Sequence, residues 1–160
     1  ANRLNDEADI EQQDHPFLQA VVKAGKDQSM SNDPRIARWH AYMQNGSDTA
    51  LLADMLADDA VFHSPVVHTP QAGKAKVMAY LGAAAVVLGN DSFRYVRELV
   101  DGDNACLEFT AEIDGIHVNG IDLIQFGPDG KIKDFKVMVR PMKAMNKLWE
   151  MMAAQLQKAG

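Results

Sequence analysis

From Ser92 to Arg140 the sequence takes on a period of two, over four consecutive runs. The runs are "SFRYVRELV", "NACLEFTAEI", "IHVNGIDLIQF" and "KIKDFKVMVR". A period of two sends successive side chains to opposite faces of an extended strand. The segments between the runs, "DGD", "DG" and "GPDG", each carry the glycine that a tight reversal needs. Strands joined this closely pair antiparallel with their sequence neighbours, because a parallel crossover needs a much longer connection. The chain therefore has to build a meander, and the apolar face of that meander needs a cover.

The cover lies upstream. Asn32 or Asp33 can cap a helix whose first position is Pro34, where the missing N–H is no loss. Ile36, Trp39 or His40, and Met43 follow at helical spacing, and Asn45-Gly46 supplies a left-handed stop. Ser47 or Asp48 caps a second short helix that turns Leu51, Leu52, Met55 and Leu56 inward. "AVFHSPVV" predicts a short strand ended by Pro65, and a third helix is expected from about Gly73 to Leu88 on Val77, Tyr80, Leu81 and Ala84. After Pro141, "MKAMNKLWEMMAAQLQ" predicts a closing amphipathic helix with Met142, Met145, Leu148, Trp149 and Met152 on one side. Helices followed by a meander give an α+β class: a curved antiparallel sheet wrapped as a cone around the N-terminal helices. A cone of this kind has an apolar interior and an open mouth.

The expected organisation is an N-terminal arm over residues 1–30, one α+β domain over residues 31–141, and a C-terminal helix over residues 142–160. The first fourteen residues are acidic and poor in large apolar groups, which predicts a mobile arm, and "PFLQAVVKAGK" predicts a short docking helix. A net charge of −6 without a Lys/Arg stripe argues against nucleic acid as a partner. The longest apolar stretch, "AYLGAAAVVLG", is too short and too glycine-broken to span a membrane. One cysteine, Cys106, allows no internal disulfide. A soluble cytoplasmic protein is the expectation.

Within the third strand, one face reads Ile116, Val118, Gly120, Asp122, Ile124, Phe126. A carboxylate on an otherwise apolar face is costly unless it is paired, protonated or turned to a cavity. Three readings follow: a structural ion pair with an arginine, a strand end where the side chain escapes to water, or a functional group in a pocket.

The order of elements, with "RWHAYMQNGSDTALLADMLADDAVFHSP", "GID" and its following Phe126, "DGKI" and the closing "RP", resembles the nuclear transport factor 2-like superfamily. Within it the chain is similar to the SnoaL-like and ketosteroid-isomerase-like members, over roughly Pro34 to Pro141. The resemblance implies a cystatin-like α+β barrel and a pocket inside the cone. It also implies site positions: a base just before the proline of the first strand, which is Ser64 here; an oxyanion donor on the first helix, which falls on His40 by gapless spacing from "ADDA"; and a protonated aspartate, matched by Asp122. Serine cannot replace a carboxylate base, so ketosteroid isomerisation by the family route is not expected. The Asp-Arg-Asp set of the fold's epoxide hydrolases would fall on Phe109, Ala111 and Val137, so that chemistry is not expected either.

Strand parity then gives Asp122 an expected pocket lined by Phe62, Ser64, Tyr80, Leu107, Phe109, Phe135, Val137 and Val139, with Ala111, His40 and Met43 beside them. The expected catalytic pair is Asp122 with His40 as its acid/base partner, although a histidine there equally serves as a core residue. No three histidines fall at metal-ligand spacing, so neither metal nor other cofactor is expected. The implied function is a cofactor-independent enzyme of proton-transfer type, an isomerase, cyclase or lyase, acting on a mostly apolar substrate. The alternative is a non-catalytic binding module for a small hydrophobic ligand. Ile121 and Leu123 point to the other face of the sheet, and a second copy of the chain is the cover expected there.

Overall fold

The computed structural model describes residues 31–46 and 48–159, so the expected arm over residues 1–30 lies outside the described residues, as do Ser47 and Gly160. Helix α1, Pro34–Asn45, begins at the predicted proline. The Asp33 carboxylate accepts from the Arg35 backbone N–H at 2.8 Å, and Gly46 closes the helix at φ 59. Arg35 in the first turn holds Asp33 and Asp103 together and lays its guanidinium 4.4 Å from the Phe126 ring centre, tying the helix start to the sheet. Asp48 caps α2, Thr49–Met55, which runs straight into β1, Leu56–His63. A short β2, Gln71–Ala72, was not foreseen; α3 follows at Lys74–Leu88.

The meander forms as its alternation requires: β3 is Arg94–Asp101, β4 Asn104–Ile113, β5 Ile116–Phe126 and β6 Ile132–Arg140. The sheet order is β2-β1-β6-β5-β4-β3. One pairing departs from the antiparallel expectation, since β1 runs parallel to β6. A hairpin would have forced β1 antiparallel to its neighbour, but the connection through α3 and four strands imposes no such direction. The result is a mixed, curved, unclosed sheet with four helices among the described residues.

The core lies between the concave face and the helices. On β5, Val118, Gly120, Asp122, Ile124 and Phe126 are buried while their alternates are half-buried or exposed. They meet Leu107, Phe109 and Ala111 from β4 and Phe135 and Val137 from β6, with Ile36, Trp39, Leu52 and Leu81 from the helices. The last helix, α4, Met142–Ala159, is rotated from expectation. Ala144 and Leu148 are buried, with Met151 and Met152 packed beside them, whereas Met142 is 80% and Trp149 60% exposed. Methionines on both sides of the helix left the apolar stripe ambiguous, and the i, i+4, i+7, i+8 spacing from Ala144 is the one that docks. Among the described residues, no helix is long and apolar enough to cross a membrane.

Candidate functional site

Residue Asp122 sits in the middle of β5, between Leu107 of β4 and Val137 of β6. Its side chain is buried on the concave face, where it meets a hydrogen-bond chain rather than an arginine. The Tyr95 hydroxyl donates to Asp122 Oδ2 at 2.6 Å, and the Trp39 indole Nε1 donates to the same hydroxyl at 2.7 Å. Indole N–H is a donor only, so the phenol proton is directed at the carboxylate. Among the described residues Oδ1 has no partner, which leaves it as the place for an acid proton.

Burial is the dominant influence on this carboxyl. It raises the Asp122 pKa from 3.8 to about 7, against the smaller opposing effect of the Tyr95 hydrogen bond. Tyr95 is pushed well above 10.0, chiefly by burial and then by the neighbouring Asp122 charge. A carboxylic acid held neutral in this way donates a hydrogen bond to a ligand oxygen, and one that titrates near neutrality can also take the proton back.

A β-bulge makes this site. Tyr95 pairs with Phe109 and Arg97 with Glu108, so the register slips between them. Simple alternation would send Tyr95 and Glu98 to opposite faces; the extra residue turns both inward. Glu98, whose side chain is 1% exposed, meets His40 Nε2 at 2.5 Å, although the approach is too oblique for a regular hydrogen bond. Its other oxygen accepts from the Ser31 backbone N–H at 2.9 Å. His40 packs edge-on against Tyr95, with ring centres 4.9 Å apart. The expected Asp122–His40 pair is therefore replaced by two separate pairs, Asp122 with Tyr95 and His40 with Glu98. Tyr95 packs against His40 with its ring and bonds Asp122 with its hydroxyl, so it touches both.

Asp122 opens on a cavity lined by Phe62, Ser64, Phe109, Phe135 and Val137, all expected at the site. Trp39, Leu81, Phe93, Leu148 and Met152 also line it and were not foreseen there, and His40 does not reach it. Of the remaining candidates, Leu107 is fully buried behind Asp122, and Tyr80 packs its ring 5.5 Å from Phe62 outside the cavity. Val139 lines a neighbouring depression instead. The cavity volume is about 40 Å³. The inner cavity is a narrow slot. Among the described residues, no three His, Cys, Asp or Glu side chains form a metal cage.

Tyr95 and Trp39 carried a signal that parity reasoning lacked. Both are large aromatic groups with a polar tip, a type that finds a hydrogen-bond partner when buried.

Comparison with known proteins agrees with this architecture. The SnoaL-like domain family matches residues 36–135. A steroid delta-isomerase from Pseudomonas aeruginosa is 37% identical, with a TM-score of 0.74 over 83% of this chain and 96% of that one. A bacterial protein with a cystatin-like fold from Silicibacter pomeroyi is 34% identical, with a TM-score of 0.71 over 76% of this chain and 84% of that one. An NTF2-like protein of unknown function from Mesorhizobium loti shares the fold at 21% identity and a TM-score of 0.59, over 71% of this chain and 99% of that one. No curated protein matches the chain. The match takes in most of α1, α2, α3, the strands from β1 to β5 and the start of β6, including the strand that carries Asp122, and the chain belongs to the SnoaL-like domain family.

Proposed function

We propose that the protein is a cofactor-independent enzyme of proton-transfer type, an isomerase, cyclase or lyase, whose acid/base group is Asp122. One observation carries this: a buried carboxyl, its only neighbouring donor among the described residues a tyrosine, faces an apolar cavity at a pKa of about 7. In the proposed step the Asp122 Oδ1–H donates to a substrate carbonyl or hydroxyl oxygen as negative charge gathers there. Tyr95 spreads that charge through its own hydrogen bond, and Trp39 fixes the direction of the relay. The kinship with a steroid delta-isomerase supports carbonyl chemistry of this kind. His40, turned to Glu98, is a positioning residue for Tyr95 in this scheme.

A second reading is a binding module for a small hydrophobic ligand. It is favoured by Ser64, which lines the cavity where the family resemblance puts the base and cannot act as a carboxylate. The two readings part in D2O. If Asp122 moves protons, giving its proton to the carbonyl oxygen as solvent takes the Cα proton, a panel of small aryl ketones should exchange α-hydrogens faster with wild-type protein than with Asp122→Asn. Binding of the panel without any Asp122-dependent exchange would establish the module instead. Steroid isomerisation should be absent or very slow on either reading, and rapid turnover of a β,γ-unsaturated steroid ketone would overturn the role given to Ser64.

We also propose that the protein works as a homodimer through the convex sheet face. Leu99 and Met138 there are 62% and 52% exposed, Leu123 is 38% exposed, and Ile121 is half-buried between them. Isolated apolar residues need no cover, but a group on one sheet face does. Leu123→Asp should shift the protein toward monomer in sedimentation at micromolar concentration, and a wild-type monomer under those conditions would sink the proposal.

A further inference from the structure

Beside the slot lies a second, wider depression of about 750 Å³. The two spaces adjoin: Ser64, Pro65 and Val137 line both. The fold explains the position. β1 pairs with β6 as far as His63 opposite Lys136, then leaves the sheet at Pro65, so the next residues of β6 lose their neighbour on that side. The gap so opened is edged by the departing loop and by Met145 of α4.

Lys136 is the one lysine or arginine among its described lining residues. His63, His68 and Lys136 face it, and no Asp or Glu is among its described lining residues. The nearest acid engaged with this set, Asp134, is held by His63 at 2.7 Å, the Asp134 oxygen facing His63 Nε2. Lys136 makes no ion pair among the described residues. The chain as a whole carries a charge of −6, so a carboxylate-free hollow with lysine and histidine stands apart from its surroundings.

We propose that this outer depression binds the anionic part of the substrate, with Lys136 as its main cation and His68 beside it. The ligand class is then an amphipathic small molecule, with a compact apolar carbonyl end in the slot and a carboxylate or similar anion in the outer hollow. The small size of the slot beside the larger hollow supports this division. Lys136 pairs with Leu123 on the sheet face away from Asp122, so a ligand reaches both by passing round the free edge of β6 at Val137, which lines both spaces. The proposal rests on the Asp122 cavity being a ligand site.

Two probes test it: 4-oxo-4-phenylbutanoate, an aryl ketone with a nearby carboxylate, and its uncharged primary amide. Binding of each is measured by ligand-observed NMR titration at low ionic strength, where the contribution of an exposed charge is not screened. Wild-type protein should prefer the carboxylate by roughly tenfold, the value of one charge-assisted hydrogen bond. Lys136→Gln should erase that preference and leave the amide's affinity unchanged. Equal binding of the two probes, or a preference that survives in Lys136→Gln, overturns the outer anion site while the slot remains a ligand site. Binding of neither probe overturns both.

Discussion

Asp122→Asn should stabilise the protein at pH 8 and leave its stability nearly unchanged at pH 4. The carboxyl has an ordinary pKa of 3.8 and a folded pKa of about 7, so between those values the native state holds a proton that the unfolded chain has released. Its protonated form is the one the fold favours. Stability from this group is full below pH 4 and is lost as pH rises through 7. A tenfold change in proton affinity is worth about 1.4 kcal/mol, so the loss reaches roughly 4 kcal/mol, less whatever water in the cavity restores. Asparagine mimics the protonated acid: its oxygen accepts from Tyr95 and its NH2 faces the cavity where the acid proton stood. The variant should therefore show a flat profile where wild type declines. Urea midpoints at pH 4 and pH 8 measure this, and the same variant should lose α-hydrogen exchange. An Asp122 that served as a structural partner to a cation would give the opposite result, a loss of several kcal/mol at pH 8. Asp122→Leu is a harsher test, since it also removes the acceptor of the Tyr95 hydroxyl, a buried donor whose loss of partner costs about 1–3 kcal/mol.

The second large effect should come from Gly120, two residues before Asp122 on the same face. A Cβ built there would lie 2.4 Å from Phe109 Cζ and 2.7 Å from the Met138 carbonyl oxygen. The ring could swing away, but the carbonyl belongs to the neighbouring strand and cannot move without breaking the ladder. Overpacking of this kind costs about 1–3 kcal/mol, and occasionally more when backbone must shift. Gly120→Ala should fall at the upper end, and Gly120→Val beyond it. Phe109 stacks on Phe93 with ring centres 5.3 Å apart, and both line the slot. A displaced Phe109 would therefore enter the cavity, so Gly120→Ala should weaken ligand binding as well as lower the melting temperature. A melting temperature within about a degree of wild type would show that the strand accommodates the methyl group, and that the glycine serves neither packing nor cavity shape.

Much of this architecture was legible in the sequence because it follows from local periodicity. The alternation from Ser92 to Arg140, the glycine turns and the Asp33-Pro34 helix start dictate their elements without help from the rest of the chain. The buried face of β5 was readable for the same reason, since a strand with a strict period of two has only two faces to assign. Asp122 stood out as the one residue that broke that face, and the structure places it in the core beside a cavity.

What the sequence did not determine depends on contacts between elements. The direction of β1 against β6 is set across a long connection, so local pattern left it open. The side of α4 that docks was decided by the surface it met, because methionines flank the helix on both sides. Most consequential is the bulge between Tyr95 and Arg97. One unpaired residue reverses the parity of everything before it, and no run of residue types on β3 announces it. That reversal puts Tyr95 against Asp122 and Glu98 against His40, where the family resemblance had paired Asp122 with His40. The identity of the acid was thus written in one strand, but its partner was chosen by the register between two.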